Sequence, residues 1–128
     1  MTPFDWSQYL SLAMTVRVQP GGEAAERCAI SRAYYACYNI ALAYADARGY
    51  AYVKGLGGSH AQVWKWYKVQ ARRRSNLNYR YIGDQGFRLH QRRIFADYRS
   101  VYPAVTADAT LTLLEANQLL ARIHQLPL

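Results

Sequence analysis

His90, Arg93 and Asp97 have residue types that can transfer protons and bind a phosphate group, and their spacing would bring them together on a helix. At about 100° per residue, a helix places all three on one side, with His90 one turn before Arg93. An imidazole with an unperturbed pKa of about 6.5 exchanges protons near neutral pH, and a guanidinium can balance charge on a phosphorane. Arg93 and Asp97 are also spaced i, i+4, as in an ordinary ion pair within a helix. These residues are therefore predicted to form either a catalytic group or a simple surface and partner-binding site.

Arginines form a second stripe on the same predicted helix. The chain has a formal net charge of +8, from 16 lysines and arginines against 8 acidic residues, and most of the cations are arginine. Guanidinium groups suit planar recognition of phosphate or carboxylate. Another basic cluster begins at Arg72 and is followed by tyrosines, which can stack on unpaired bases. We predict that RNA is bound by Arg88, Arg92, Arg99, Arg73, Arg74 and Arg80. The alternative interpretations are a solvated basic face and a surface for an acidic protein partner.

Residues 30–39 contain one arginine and three tyrosines among alanines, inside a run from Glu23 to Arg48 that has no Gly or Pro. This run is long enough for about seven helical turns. Because tyrosines combine an apolar ring with a polar tip and arginine keeps its charge, we expect a largely buried helix that holds a polar network. Within it, Arg32 would be held by a carboxylate, for which Asp97 is the candidate, or by carbonyls at a helix end. The residues assigned to this structural network are Ser31, Arg32, Tyr35 and Tyr98.

Five helices are predicted to position these residues, and they span residues 4–18, 23–48, 60–74, 85–102 and 107–125. The turn Pro20-Gly21-Gly22 ends the first, and Pro103 ends the fourth. Residues 75–86 contain several asparagines and glycines and are predicted to form a loop. The core stripe of the fourth helix is assigned to Phe87, Ile94, Tyr98 and Val101. No segment alternates with a period of two, so we predict an all-α fold, an antiparallel bundle of five helices in one domain over residues 1–128.

Cys28 and Cys37 are predicted to be two small buried groups that form no disulfide. Nine residues apart on one helix, they would face opposite sides, about 13 Å apart along the axis. No CxxC or HxxxH spacing indicates a metal site, and no cofactor is expected. The sequence has no run of about 18 apolar residues and no signal-peptide pattern, so a cytoplasmic protein that does not enter the membrane is expected.

Two motifs give the chain a resemblance to the HEPN superfamily, in particular its small prokaryotic members. They are Ser31–Ala36, which reads SRAYYA, and Arg93–Tyr98, which reads RIFADY. Phe4-Asp5-Trp6 near the start and Ser59-His60 at the third helix also fit. The resemblance covers nearly the whole chain and implies a helical bundle that forms a homodimer. It further implies either a metal-independent ribonuclease of a toxin–antitoxin or antiviral system, or a non-catalytic module that binds RNA or a protein. A nucleotidyltransferase antitoxin and a larger effector complex are the protein partners implied.

The chain departs from the catalytic motif of active HEPN proteins, an Arg followed after four to six residues by a His. None of its three histidines, His60, His90 and His124, has an arginine at the required distance before it. This departure leaves two hypotheses for function. Activity depends on other residues, with His90, Arg93 and Asp97 as the candidates, or the protein is a non-catalytic interaction subunit.

Overall fold

The computed structural model describes residues 2–18 and 21–128, and within these ranges the secondary structure is entirely helical. Five helices are present: α1 (Ser7–Arg17), α2 (Gly22–Asp46), α3 (Ser59–Arg74), α4 (Leu77–Tyr98) and α5 (Val105–His124). The prediction of a five-helix, all-α bundle is confirmed. Pro20, the first residue of the turn predicted to end the first helix, lies outside the described residues.

Helix α2 is the central element, and it packs against each of the other four helices. Its buried positions are mostly small, which lets neighbouring helices approach its axis from several sides. The buried alanines are Ala25, Ala29, Ala33, Ala36, Ala41 and Ala45. Larger buried side chains occur in the middle of the helix, where Tyr34 and Tyr38 lie. The expectation of a helix buried on most sides therefore describes α2 well.

Helix α3 runs parallel to α2, because residues 47–58 carry the chain back along the bundle before α3 begins. Tyr34 of α2 lies beside His60 at the start of α3, and the hydroxyl of Tyr67 donates to the carbonyl of Ala41 at 2.7 Å. Gln62 holds the returning segment with its amide. Its Oε1 accepts from the Val53 N–H at 2.9 Å, and its Nε2 donates to the Val53 carbonyl at the same distance. This return places the first turn of α3 against the middle of α2.

Helix α4 begins at Leu77, so the prediction of a loop over residues 75–86 is wrong. Asn76 starts the helix by accepting the Asn78 N–H on its side chain at 3.0 Å. The glycines that suggested a loop are needed for packing, because α3 and α4 are in close contact there. A Cβ on Gly86 would lie 2.1 Å from the Trp64 ring, and one on Gly83 would lie 2.8 Å from the Trp64 carbonyl oxygen.

Helix α4 also ends earlier than predicted, at Tyr98 and not near Pro103. Arg27 of α2 binds the carbonyl groups that this end exposes: Nη1 donates to Ala96 at 3.1 Å and to Arg99 at 2.5 Å, and Nη2 donates to Ser100 at 3.3 Å. Such carbonyls have no partner within a helix, so this arginine provides the cap.

The predicted core stripe of α4 is incorrect in its second half. Tyr98 is 69% exposed and Val101 is 76% exposed, whereas Phe87 and Ile94 are partly buried. The buried face consists of Tyr79, Ile82, Gly83, Gly86, Leu89 and Ala96. The stripe was misplaced because two of the buried positions are glycines, which carry no apolar side chain to reveal a face.

Both cysteines are free thiols, as was predicted from their spacing. Cys37 is buried, but Cys28 is exposed, so the expectation that both are buried is wrong for Cys28. None of the helices in the described ranges combines the length and the hydropathy needed to cross a membrane.

Candidate active site

Four aromatic rings stack where α2, α3 and α4 meet. The Tyr38 and His60 rings have centroids 3.9 Å apart with an interplanar angle of 15°. The His60 and His90 rings are 5.0 Å apart at 10°, and Tyr34 lies 5.4 Å from His90 at 24°. Two imidazoles from different helices are therefore held nearly parallel and close together, with tyrosines of α2 beside them.

The His60 ring is fixed by a hydrogen-bond chain that leads into the core. Its Nδ1 lies 2.6 Å from the Tyr34 hydroxyl, and the indole Nε1–H of Trp64 donates to that hydroxyl at 3.1 Å. Tyr34 and Trp64 are fully buried, whereas His60 is only partly buried. One edge of the imidazole is thus bound to the interior, and the ring lies at the border between core and surface.

Both imidazoles are poised to be neutral at pH 7. Burial lowers the pKa of His60 to about 4, and electrostatic coupling to His90 and Arg93 acts in the same direction. Burial, followed by the charge of Arg93, also lowers the pKa of His90. The Nδ1 atom of His90 is buried and has no hydrogen-bond partner within the described ranges, so adding a proton there would be costly.

Arg93 lies next to the histidines, and its position is set by a carboxylate. Its Nε donates to Asp97 Oδ2 at 2.9 Å, and the Ser31 hydroxyl donates to the same oxygen at 3.2 Å. The Arg93 guanidinium lies 5.0 Å from the Tyr35 ring centre and 5.5 Å from that of Tyr98. The side chain of Arg93 is only 15% exposed, so its charge is fixed at the edge of the site.

Arg32 lies against the same Tyr35 ring as Arg93. The predicted ion pair between Arg32 and Asp97 is not formed. The Arg32 guanidinium lies over the rings of Tyr9 and Tyr35, at 5.1 and 5.3 Å from their centres. Its Nη2 reaches the Ser31 hydroxyl at 3.4 Å. Aromatic faces therefore hold this cation where a carboxylate was predicted, and Asp97 remains engaged with Arg93 and Ser31.

The six arginines predicted to bind RNA do not share one environment. Five of them are exposed: Arg73, Arg74, Arg80, Arg88 and Arg99. Arg92 differs, because its side chain is 16% exposed and its Nη2 bonds to Glu115 of α5 at 3.2 Å. That guanidinium is used to join α4 to α5. Of the stripe predicted on the fourth helix, Arg88, Arg92 and Arg99, only Arg88 and Arg99 are therefore exposed.

The structure brings His90, Arg93 and Asp97 together with Ser31, Arg32, Tyr35 and Tyr98 around one site. His60 is the residue that sequence reasoning underrated, since nothing local links it to a histidine 30 positions later. The α3–α4 hairpin makes the link, because antiparallel helices bring the start of α3 to the second half of α4. The only signal in the sequence was Ser59-His60 opening a helix rich in aromatic residues.

Within residues 2–18 and 21–128, no group of three or more His, Cys, Asp or Glu side chains is arranged to hold a metal ion. Comparison of the chain with protein-family models, curated proteins and solved structures finds no match. The site itself contains two imidazoles of lowered pKa, an arginine held by a carboxylate, and buried tyrosines.

Proposed function

We propose that this protein is an RNA-binding protein that cleaves RNA without a metal ion, as a ribonuclease of a prokaryotic defence or toxin–antitoxin system. The observation that carries the proposal is the pair of imidazoles, His60 and His90, 5.0 Å apart and next to Arg93. Cleavage of RNA by its own 2′-hydroxyl needs a group that takes up a proton and a cation that balances charge on the phosphate. Both kinds of group lie within this site.

In the proposed reaction, the 2′-oxygen forms a bond to phosphorus and the bond from phosphorus to the 5′-oxygen breaks. The products are a 2′,3′-cyclic phosphate and a 5′-hydroxyl end. A neutral imidazole accepts the proton of the 2′-hydroxyl, and the leaving 5′-oxygen gains a proton from solvent. The lowered pKa values of His60 and His90 keep both rings neutral at pH 7.

Arg93 supplies the charge for the phosphate, and Asp97 positions it. The Asp97 carboxylate binds Arg93 through Nε, which leaves the terminal guanidinium nitrogens for the phosphate oxygens. The exposed arginines Arg73, Arg74, Arg80, Arg88 and Arg99 would hold flanking phosphates. A formal net charge of +8 favours association with any polyanion, and unpaired bases could stack on exposed aromatic rings.

The decisive experiment is cleavage of a labelled single-stranded RNA in the presence of EDTA. We expect cleavage by the unchanged protein, a loss of about 100-fold or more in His90→Ala and Arg93→Ala, and no change in His124→Ala. His124 is a matched control because it is an exposed histidine at the end of α5. RNA with 2′-deoxy linkages should remain intact. Equal cleavage by the His90→Ala and His124→Ala variants would contradict the proposal, provided that both remain folded by circular dichroism.

A second function is favoured by a separate apolar groove, and it is the alternative of a non-catalytic interaction subunit. The groove has a volume of about 510 Å³, and its lining combines Phe95, Tyr102, Pro103 and Ala104 with the polar residues Arg88, Gln91, Arg92 and Asp108. Exposed Tyr98 and Val101 enlarge the apolar surface nearby. A second copy of the chain, a nucleotidyltransferase antitoxin or a larger effector would dock here. Under this alternative, Phe95→Asp should abolish complex formation in sedimentation experiments, and the unchanged protein should not cleave RNA.

A further inference from the structure

The hydrogen bonds around Tyr34 define which nitrogen of His60 carries its proton. An indole Nε1–H can only donate, so the Tyr34 oxygen accepts the hydrogen bond from Trp64 at 3.1 Å. The phenol has a single proton, and among residues 2–18 and 21–128 the one other polar group within hydrogen-bond distance of its oxygen is His60 Nδ1, at 2.6 Å. If the Tyr34 hydroxyl donates to His60 Nδ1, all three groups of this hydrogen-bond series have a partner. Nδ1 must then be unprotonated. The proton of neutral His60 must then be on Nε2.

The opposite arrangement is costly. If His60 carried its proton on Nδ1, the Tyr34 oxygen would accept from both His60 and Trp64, and its own O–H would have no acceptor. Tyr34 is fully buried, so an unpaired hydroxyl donor there costs about 1–3 kcal/mol. A second proton on His60 would also be placed on Nδ1, and the Tyr34 hydroxyl would again have no acceptor. The titratable and charged groups that face this ring are Tyr34, Tyr35, Tyr38, His90 and Arg93, and none of them is a carboxylate that would stabilise an imidazolium at pH 7.

We propose that Trp64 and Tyr34 lock His60 as a neutral Nε2–H donor that binds the substrate phosphate. A ring with its proton on Nε2 cannot take the 2′-hydroxyl proton through that nitrogen. It can donate a hydrogen bond to a phosphate oxygen, beside the charge of Arg93. His60 is then a catalytic residue of the oxyanion-stabilising kind, and Tyr34 and Trp64 are positioning residues. The phosphate role rests on the proposed function, whereas the tautomer does not.

The tautomer is tested by heteronuclear NMR of the ¹⁵N-labelled protein at pH 7. We expect His60 to give an unprotonated Nδ1 and a protonated Nε2. A His60 ring with its proton on Nδ1 overturns the proposal. In Trp64→Phe, Tyr34 loses the donor that orients it, so we expect a mixture of both tautomers. The exposed His124 serves as an internal reference in every spectrum.

The phosphate role is tested by binding and by kinetics. A dinucleotide with a 2′-deoxy linkage cannot react, and its addition should shift the His60 Nε2–H resonance; an unchanged resonance at saturation overturns the role. In cleavage assays, His60→Phe should lower kcat by about 100- to 1000-fold, as expected when one oxyanion donor is lost. His60→Gln retains an N–H donor and should recover at least about tenfold of that loss.

The contrast between His60→Gln and His60→Phe decides the phosphate role, because only glutamine keeps an N–H donor at this position. If the two variants are equally inactive, the phosphate role is overturned. Failure of the unchanged protein to cleave RNA refutes the proposed function itself, and the NMR spectrum still decides the tautomer.

Discussion

The partly buried His60 ring should make the stability of the protein depend on pH in a defined direction. Burial lowers the pKa of His60 from 6.5 to about 4 in the folded state, so the folded protein binds this proton less readily than the unfolded chain does. As the pH falls below 6.5, His60 binds a proton in the unfolded state but not in the folded state. Stability is therefore fully present above about pH 6.5 and is lost as the pH falls toward 4. The lowered pKa of His90 acts in the same direction.

The magnitude follows from the distance between the two pKa values. A difference between 6.5 and about 4 would correspond to about 3.4 kcal/mol at about 1.4 kcal/mol per pKa unit. Because the ring is only half-buried, solvent screens part of this effect, and we expect about 1–2 kcal/mol. The perturbation is His60→Gln, which removes the titrating group and retains a polar side chain.

Urea unfolding followed by circular dichroism at pH 7.5 and at pH 4.5 measures this contribution. Carboxylates such as Asp97 also affect acid stability, but they are present in both proteins and cancel when the two pH-dependent losses are subtracted. The unchanged protein should lose about 1–2 kcal/mol more than His60→Gln between the two pH values. Equal losses, or a larger loss in the variant, would refute the reasoning that burial holds His60 neutral.

Three further predictions concern packing, capping and binding. Gly86→Ala should lower the free energy of unfolding by about 1–3 kcal/mol or more, since its Cβ would lie 2.1 Å from the Trp64 ring; Gly58→Ala, where nothing lies within 4 Å, is the control for thermal melting. Arg27→Ala should cost about 1.5–3 kcal/mol and accelerate amide exchange at the end of α4, because three carbonyls lose their donor. Arg88→Ala should reduce the salt dependence of RNA binding by about one phosphate contact, as measured by fluorescence anisotropy.

The sequence was sufficient to predict the number of helices and the positions of most of them. Periodicity and the Gly and Pro stops are local features, and they remain visible without the fold. The first two turns of α4 were missed because Gly83 and Gly86 usually indicate a loop, whereas here they make room for an indole from another helix. No local pattern can reveal that requirement.

The candidate site was predictable only in part, for the same reason. His90, Arg93 and Asp97 lie on one helix, so their spacing alone placed them together. His60 joins them through an interhelical contact, and its neutral state depends on burial against α2. The pairing of Arg32 with aromatic rings was also hidden, because Tyr9 lies on a helix distant in sequence.

The close contact between Gly86 and Trp64 has a consequence for how such a chain could diverge. A side chain at position 86 would displace the indole, and the indole is what orients the Tyr34 hydroxyl toward His60. Gly86 contacts no reacting atom, yet a substitution there would affect the His60 ring by displacing Trp64, which in turn orients Tyr34. During evolution, positions 86, 64 and 34 should therefore change together or not at all, and a descendant with alanine at position 86 should also have a smaller residue at position 64.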